Sequence, residues 1–344
     1  MTILHVLYSN RFSGAENVVC QIIEMFRAQP DVRMVYCSPD GQIREALTER
    51  NVEFAPVSEL SKAELRRVIA EVRPDVIHAH DMRASFVAAL ACKKIPLISH
   101  IHNNAFDARA LSPKSVAYLY AAKKAKHIFW VSESSMSGYA FRKSVAKKSE
   151  VLYNIISIDA LYKKMESDGN QYSYDLAYVG RLSYPKNPQR LMAVIAKLRD
   201  LKSDVRVAVV GNGDLEEETH ALCKQYELED NVDFLGFRSN PLKILHSSKA
   251  MIMVSRWEGT PMCALEAMAL GVPIVSTPVD GLKVLVDEGE NGYLSDDDDV
   301  IAEKIFEIIS NPSQRERMSD YTYKKAKEIN NVEVYTQRLM AQYK

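Results

Sequence analysis

The chain contains little cysteine, and its cysteines are not grouped. Five of them are scattered over 344 residues, with no C-x-x-C pair. Disulfide-stabilised secreted domains and cysteine-ligated zinc sites both need closely spaced cysteines, so this pattern argues against each of them. We therefore expect buried thiols in a reducing, cytoplasmic environment.

The sequence also lacks an excess of charge and a long apolar run. The formal net charge is −1, whereas proteins that bind nucleic acid usually carry a basic face, so we expect no nucleic-acid partner. No apolar run reaches the roughly 20 residues that cross a bilayer, and the first residues lack the basic start of a signal peptide. Hydrophobic residues make up 47% of the chain, which is typical of a globular protein with two full cores.

What the sequence does contain is a repeated alternation of short apolar runs with helical patterns. Strands that are apolar throughout and are separated by helices predict parallel sheets covered on both sides. The fold class is therefore α/β, with two Rossmann-like, doubly wound domains facing a central cleft. We divide the chain into a first domain, a polar linker, a second domain and a C-terminal helix, at residues 1–156, 157–173, 174–320 and 321–344.

Two glutamates follow one of the predicted strands of the second domain. Glu258 stands at the strand end, and Glu266 lies about one turn into the next predicted helix. The start of that helix exposes backbone N–H groups and a partial positive charge, which suit a diphosphate. An alternative stays open, in which Glu258 caps the helix and Glu266 is an ordinary helical glutamate. The candidates from this segment are Glu258, Gly259, Thr260, Met262, Cys263 and Glu266.

A basic loop follows an earlier strand of the same domain. Gly180 ends the strand, Arg181 offers two parallel donors and Lys186 a point charge. Such a pair suits the diphosphate leaving group of a nucleotide, although a solvated basic loop is the alternative.

Glycines at two further strand ends allow close backbone approach to a phosphate. Gly14 follows the first strand and Gly211 a strand of the second domain, but neither belongs to a G-x-G-x-x-G fingerprint. A simple tight turn is the alternative at both positions. We add Phe237, which follows the next strand, to the candidates for the nucleotide site.

Histidines cluster on two neighbouring predicted strands of the first domain. His100 and His102 point to one side of their strand, and His78 and His80 lie on the strand before. No cysteine or carboxylate completes a metal-ligand spacing, so we expect no metal and assign His102 to hydrogen bonding of a sugar.

A basic segment runs from Lys114 to Lys148, with eight lysines and arginines among aromatic and aliphatic residues. Docking on anionic lipid and ordinary solvated helix faces are both open for it. The acidic run Asp296 to Asp299 precedes a helical pattern, so we interpret it as an exposed helix start and not as a metal site.

Taken together, these motifs resemble the retaining glycosyltransferases of family 4, which have the GT-B architecture, over nearly the whole chain. The most specific parts are Gly180-Arg181-Leu182, Lys186-Asn187-Pro188 and the Glu-x(7)-Glu element of Glu258 and Glu266. The resemblance implies that Arg181 and Lys186 bind the donor diphosphate, that Glu258 contacts the donor sugar and that Glu266 holds the ribose hydroxyls. It further implies that His102 faces the transferred sugar, that Gly14 lies beside the phosphates and that the final helix packs on the first domain.

The resemblance also implies a reaction. A sugar passes from a nucleotide donor, with UDP expected, to a hydroxyl of a glycan or lipid-linked acceptor, with retention at the anomeric carbon and without a metal or other cofactor. Bacterial surface polysaccharides such as capsule or lipopolysaccharide are the expected products, made by a cytoplasmic enzyme at the inner face of the cell membrane. A sugar-nucleotide epimerase of the same fold and a non-catalytic carbohydrate-binding relative are the alternatives. A glycosidase using the two glutamates is disfavoured, because it needs no phosphate-binding pair.

Overall fold

The computed structural model describes residues 1–92, 94–102 and 106–344 of the chain, without the side chain of Phe106. These residues form two compact units, one of Met1–Ile155 with Asn331–Lys344 and one of Ile156–Asn330. Within the described residues, no helix combines the length and the apolar character that crossing a membrane requires.

Twelve strands of the described residues form two sheets. The first unit contains β1 (Thr2–Val6), β2 (Arg33–Cys37), β3 (Val76–His80), β4 (Leu97–Ile101), β5 (His127–Trp130) and β6 (Ser149–Val151). The second unit contains β7 (Tyr174–Val179), β8 (Val207–Val210), β9 (Val232–Gly236), β10 (Ser248–Met253), β11 (Ile274–Ser276) and β12 (Gly292–Leu294). All pairings between these strands are parallel.

Sixteen α-helices connect and cover these strands. In chain order they are α1 (Gly14–Phe26), α2 (Ile43–Glu49), α3 (Lys62–Val72), α4 (Asp81–Ala91), α5 (Pro113–Lys124), α6 (Glu133–Gly138), α7 (Arg142–Val145), α8 (Ile158–Glu166), α9 (Pro188–Leu201), α10 (Glu216–Gln225), α11 (Leu242–His246), α12 (Met262–Ala269), α13 (Asp280–Lys283), α14 (Asp298–Ser310), α15 (Pro312–Ile329) and α16 (Val332–Tyr343).

The sheet of the first unit has the order β2-β1-β3-β4-β5-β6. All five residues of β3 and of β4 are buried, because helices cover both faces of the sheet. Leu4, Ile77 and Ile101 point to the face that packs on α3, α4 and α5, where the apolar core lies. The other face carries the histidines of β1, β3 and β4, and α16 reaches it through a 2.8 Å hydrogen bond between Tyr343 Oη and His78 Nδ1.

The sheet of the second unit has the order β12-β11-β10-β7-β8-β9. Its core is aliphatic and gathers residues of β7, β8, β10, α9 and α14. Asn187 precedes α9 with a left-handed backbone, φ +56°, and Pro188 opens the helix, where its missing N–H costs nothing. At the start of α14, the Asp297 side chain accepts hydrogen bonds from two backbone N–H groups, which confirms the predicted helix start in the acidic run.

The polar composition of the segment 157–173 predicts an irregular linker, and this prediction is wrong. Residues Ile158–Glu166 form α8, which begins at Ser157, whose side chain accepts a hydrogen bond from the Ala160 N–H. Leu161 and Met165 are buried one turn apart, so the helix packs on the second unit by a narrow apolar stripe. That stripe is too short to stand out from the polar residues around it.

The predicted C-terminal helix 321–344 is two helices. Residues 321–329 are the end of α15, the helix breaks at Asn330, and Val332–Tyr343 form α16, which lies in the segment Asn331–Lys344 that belongs to the first unit. The Asn330 side chain accepts a 2.8 Å hydrogen bond from the Ile156 N–H and donates one to the Ala326 carbonyl. This asparagine ends α15 because its amide takes over backbone hydrogen bonds at that point.

Candidate active site

A buried ion pair lies at the carboxyl end of the second sheet. The Lys186 ammonium bonds to Oε1 of Glu258, and Ser255 Oγ donates to the same oxygen at 2.6 Å. The two side chains are 19% and 10% exposed. Burial alone would lower the pKa of Lys186, but the Glu258 carboxylate and the Cys263 thiol outweigh it, so the pKa of Lys186 lies above its usual value. Lys186 therefore carries its positive charge at neutral pH.

Arg256 fixes the loop that carries Lys186. Its Nε donates to the Tyr184 carbonyl at 3.1 Å, and its second guanidinium nitrogen donates to Asn187 Oδ1 at 2.8 Å. The guanidinium also lies 4.5 Å from the centre of the Tyr184 ring. One arginine thus joins the loop after β10 to the loop after β7 and holds Lys186 in register with Glu258.

Arg181 lies beside this pair and is exposed. Its guanidinium has no hydrogen bond or ion pair with any residue that the structure describes, while its carbonyl accepts a 2.9 Å hydrogen bond from Tyr178 Oη. Its charge acts to lower the pKa of Lys186, so the two cations are close enough to repel. An anion placed near both would relieve that repulsion.

The helix α12 begins next to Glu258. Its first turn has Pro261 at the capping position and no side-chain cap, so the backbone N–H groups there are available to an anion. Thr260 and Met262 are buried at this start. Burial raises the pKa of the Cys263 thiol to about 12, and Glu266 lies one turn further along the helix.

Two glycine contacts bring the loops of this edge together. A β-carbon at Gly211, where φ is +136°, would lie 2.0 Å from the Gly180 carbonyl oxygen. A β-carbon at Gly281 would lie 1.5 Å from the Gly259 carbonyl oxygen. The backbones therefore approach too closely for any side chain. Gly211 is explained by this packing against Gly180 and does not need a phosphate to account for it.

Phe237 is the remaining candidate of the second unit. Phe237 follows β9 and is 54% exposed, and no contact of its side chain with the ion pair is present in the described part of the chain.

Gly14 and His102 belong to the first unit. Gly14 is the first residue of α1, after Ser13, whose hydroxyl donates to Glu16 Oε2 at 2.5 Å. A β-carbon at Gly14 would meet no described atom within 4 Å, so packing does not account for this glycine.

His102 follows the last residue of β4, and its backbone N–H donates to Asp81 Oδ1 at 3.0 Å. Asp81 stands at the end of β3 with a left-handed backbone, φ +68°. Loss of water around it, with the Glu16 charge nearby, raises the pKa of Asp81 to about 6, although the hydrogen bond from His102 opposes this. The carboxyl ends of β3 and β4 are joined at this residue.

The histidine face of the first unit contains two groups with metal-ligand geometry. His5, His78 and His80 form one group, and His80, His100 and His102 form the other, with the ligand atoms of each group within 4.8 Å of one another. Neutral imidazoles are suitable ligands for transition metals. The sequence spacing did not reveal the first group, because His5 lies on β1, far from the others in sequence, whereas the histidines of the second group are predicted on two neighbouring strands.

The sequence motifs missed three contributors to these sites. His5 lies in an apolar strand, Asp81 looks like an ordinary first residue of a helix, and Arg256 is one more basic residue beside an aromatic. A hydrophobic strand with a polar residue in the middle, as at His5, is the one signal that was present in the sequence.

Two known protein families match the chain, and their boundary lies close to the boundary between the two units. Residues 163–325 match the family described as "Glycosyl transferases group 1", and residues 12–160 match the family described as "Glycosyltransferase Family 4". The match covers both units.

Several named proteins are similar to the chain. It is 32% identical over 149 residues, 43% of its length and 40% of the relative's, to the N-acetylgalactosamine-N,N'-diacetylbacillosaminyl-diphospho-undecaprenol 4-alpha-N-acetylgalactosaminyltransferase of Campylobacter jejuni. It is 23% identical over 87% of its length and 84% of the relative's to the UDP-Gal:alpha-D-GlcNAc-diphosphoundecaprenol alpha-1,3-galactosyltransferase of Escherichia coli. The crystal structure of Anabaena HepE in complex with UDP and glucose has a TM-score of 0.84 at 21% identity, covering 99% of this chain and 98% of that one.

The fold is GT-B, with two Rossmann-like units, and the chain belongs to the glycosyltransferases that join a family 4 domain to a group 1 domain. Its matched part spans 57%, 40% and 41% of the length of the first three curated relatives.

Proposed function

We propose that this protein transfers a sugar from a nucleotide donor, UDP-linked, to a hydroxyl of a glycan or lipid-linked saccharide, with retention of configuration. The observation that carries the proposal is the convergence of Arg181 and Lys186 beside the uncapped start of α12, with Glu258 bonded to one of the two cations. This edge offers the charge and the backbone donors that a diphosphate requires.

The two cations have different parts in the proposal. Lys186 is held by Glu258 and by the loop that Arg256 fixes, so it offers a preformed charge to the leaving diphosphate. Arg181 is exposed and unengaged within the described residues, so its guanidinium is available to bond two phosphate oxygens at once. Charge that builds on the diphosphate as the sugar departs is stabilised by these two cations. They support a reaction that needs no metal or other cofactor.

The carboxylates support retention by attack on the same face as the departing diphosphate. Glu258 Oε1 accepts from both Lys186 and Ser255, which leaves it a poor nucleophile for a covalent intermediate. We propose instead that the acceptor oxygen bonds to the anomeric carbon as the bond to the phosphate oxygen breaks. The hydroxyl proton then passes to the departing phosphate oxygen, which balances the step without an enzymatic base.

The other candidate residues take the roles that the family resemblance implies. Glu258 orients the donor sugar, Glu266 accepts from the ribose hydroxyls, and Gly14 and His102 contribute to the phosphate and sugar contacts. Relatives named for transfer to diphospho-undecaprenol-linked saccharides support a lipid-linked acceptor. A bacterial surface polysaccharide made on the cytoplasmic side of the membrane is part of this proposal.

Thermal unfolding with a panel of nucleotides and nucleotide sugars tests the donor site. A ligand that binds the native state raises its apparent stability, so UDP and at least one UDP-sugar should raise the midpoint while adenine and guanine nucleotides should not. The double variant Arg181→Ala/Lys186→Ala should lose this response. Arg206→Ala/Lys249→Ala is the matched control, because it removes two charges at the opposite edge of the same sheet. A panel in which no nucleotide stabilises the parent chain would refute the assignment.

Incubation with the stabilising donor tests the reaction. Slow release of UDP and free sugar without an acceptor is expected, and with an acceptor the anomeric configuration of the product, read by NMR, should match that of the donor. An inverted product would contradict retention. Appearance of an epimeric donor, without any transfer, would favour the epimerase alternative.

We also propose that the basic segment of the first unit contacts anionic lipid. Of its eight cations, Lys114, Lys124, Lys126 and Lys148 bond to a carboxylate or to backbone carbonyls. The side chains of Lys123, Arg142, Lys143 and Lys147 are exposed and have no ion pair with a described residue. On α5, Val116 and Tyr120 are 48% and 40% exposed, so apolar and basic groups share this surface.

Sedimentation with lipid vesicles tests the membrane contact. The chain should bind vesicles that contain phosphatidylglycerol and not vesicles of phosphatidylcholine alone, with binding that weakens as salt is added. Replacing Lys123 and Lys147 by glutamate should abolish binding, whereas the same change at Lys224 and Lys324 should not. Equal binding to both kinds of vesicle, or none to either, would contradict the contact.

A further inference from the structure

Five imidazole rings form a continuous stack on one face of the first sheet. The strands β1, β3 and β4 are neighbours, and His5 pairs in register with His78 while His80 pairs with His100. Ring centres lie 4.3 Å apart between His78 and His80 and 4.2 Å apart between His100 and His102. Such a group in an otherwise apolar interior needs a physical reason, because each ring nitrogen is a hydrogen-bonding group.

Three of these rings are joined end to end by hydrogen bonds. His5 Nδ1 lies 3.0 Å from His80 Nε2, and His80 Nδ1 lies 2.8 Å from His102 Nε2. His80 therefore uses both of its nitrogens. The line runs from the interior of β1, through the last residue of β3, to His102 at the carboxyl end of β4, the edge at which ligands bind in parallel sheets.

All three rings are neutral. Burial lowers the pKa of His5 and of His102 to about 3 and that of His80 well below its usual value. A neutral imidazole carries one hydrogen, and each of the two hydrogen bonds needs one donor and one acceptor. The hydrogens must therefore all be on Nδ1 or all on Nε2, so the tautomer of His102 is coupled to that of His5.

The two nitrogens at the ends of this line of three rings decide which of the two tautomeric states forms. His5 Nε2 and His102 Nδ1 are buried and have no hydrogen-bond partner among the described residues. A buried N–H without an acceptor is rarer in proteins than a buried acceptor without a donor. Hydrogens on Nε2 would leave such an N–H at His5, in the interior. Hydrogens on Nδ1 leave a lone pair at His5 and place the N–H that needs an acceptor on His102, which is only partly buried as a residue and lies at the ligand-binding edge.

We infer that His80 is a positioning residue that holds His102 in the Nδ1–H tautomer, so that His102 meets the transferred sugar as a hydrogen-bond donor. The link to the sugar rests on the proposed function, whereas the tautomer is a property of the chain by itself. Hydrogen bonds pass from His5 to His80 and from His80 to His102, and each ring polarises the next.

NMR of the full chain, with ¹⁵N only in its eight histidines, tests the tautomers without substrate. Long-range ¹H–¹⁵N correlations distinguish a protonated from an unprotonated ring nitrogen. The signals of His5, His80 and His102 should all indicate Nδ1–H, and treatment with a chelator should leave them unchanged. A hydrogen on Nε2 of any of the three would overturn the inference, and so would a pattern that changes on chelation, which would indicate a bound metal.

Variants then separate coupling from packing. His80→Phe removes the donor to His102 Nε2, so His102 should show a mixture of both tautomers, and kcat should fall several-fold with little change in KM for the donor. His80→Asn offers an N–H near the position of Nδ1 and should restore the parent signal of His102 and most of kcat. His100→Phe is the matched control, because His100 is in the same stack and neither of its nitrogens has a partner among described residues.

The outcomes are distinct for the two proposals. An unchanged His102 signal in His80→Phe, or an equal disturbance in His100→Phe, would overturn the coupling. If His80→Phe does not fold, the spectrum of the parent chain still decides the tautomer. A chain with the Nδ1–H pattern that binds no nucleotide would refute the proposed function alone, and an active chain without that pattern would refute this inference alone.

Discussion

Lys186 and Glu258 are 72 positions apart in the chain and form a buried ion pair at one edge of the second sheet. The pair changes what the Glu-x(7)-Glu motif means, because Glu258 is already engaged by a cation and by the Ser255 hydroxyl. A carboxylate in that state is better suited to orient groups by hydrogen bonding than to attack a carbon. In the function proposed above, the chemistry of the site therefore lies with its cations.

The first prediction concerns the stability of this pair. Lys186→Met should lower the free energy of unfolding by about 3 kcal/mol, because it leaves the Glu258 carboxylate buried without its partner. Adding Glu258→Gln should recover at least half of that loss, since the remaining group is neutral. Urea unfolding of the single variants and the double variant, without ligand, measures the coupling.

The exposed pair of Lys197 and Asp299 is the control for that cycle. Its side chains are 39% and 69% exposed, so Lys197→Met should cost much less stability than Lys186→Met. Equal losses at Lys186 and at Lys197 would show that burial contributes nothing to the energy of the site pair.

A second prediction concerns Arg256, which contacts the loop of Lys186 by two hydrogen bonds and by stacking on Tyr184. Arg256→Ala should weaken nucleotide binding about tenfold, equivalent to about 1.4 kcal/mol, because the loop loses its fixed position. Arg256→Lys should not rescue binding, since a lysine lacks the planar fork. Calorimetric titration with UDP measures the effect.

Arg206→Ala is the matched control for Arg256→Ala. Arg206 also lies over a tyrosine ring, at 5.1 Å from the centre of Tyr174, and bonds to Asp233. It precedes β8, at the opposite edge of the sheet. Loss of UDP affinity in this variant as well would mean that Arg256 acts through general stability.

Much of the fold could be predicted from the sequence, because its strands are buried on both faces. Every residue of β3 and of β11 is buried, so both strands belong to the short, mostly apolar runs that alternate with helical patterns in the sequence. The segment of α8 was mistaken for a linker because its two buried side chains are too few to produce a recognisable helical period in the sequence. The three residues of β12 escaped prediction for a similar reason, since Gly292 begins a strand of minimal length.

The site was predictable to the extent that its residues are close in sequence. The loop of Arg181 and Lys186 and the start of α12 follow directly from strand-to-helix transitions. The histidine line was not predictable, because strand order brings β1 next to β3 only in space. The contacts of Arg256 depend on where two loops meet, and no local pattern carries that information.

A third prediction concerns Gly14, where a β-carbon would meet no described atom within 4 Å. Gly14→Ala should change the free energy of unfolding by less than about 0.5 kcal/mol, as expected for a surface substitution. It should nevertheless weaken binding of the UDP-sugar about tenfold if phosphate approaches this backbone. Gly169→Ala, at an exposed turn that is equally open, should leave both quantities unchanged. A neutral effect of Gly14→Ala on binding would remove Gly14 from the donor site.

The last prediction is a pH dependence at Asp81. The native state raises the pKa of this carboxyl to about 6 from an ordinary value of 3.8, so between these pH values the native chain holds a proton that the unfolded chain has lost. Its contribution to stability therefore falls as the pH rises through this window, and the cost is complete above pH 6.

Asp81→Asn keeps an acceptor for the His102 N–H, suits the left-handed backbone and does not titrate. Relative to the parent, it should gain roughly 1–3 kcal/mol between pH 4 and pH 7, measured by urea unfolding at each pH. Asp75→Asn, where the carboxylate also accepts a backbone N–H, should not show that gain, and a constant difference between Asp81→Asn and the parent at all pH values would contradict the prediction.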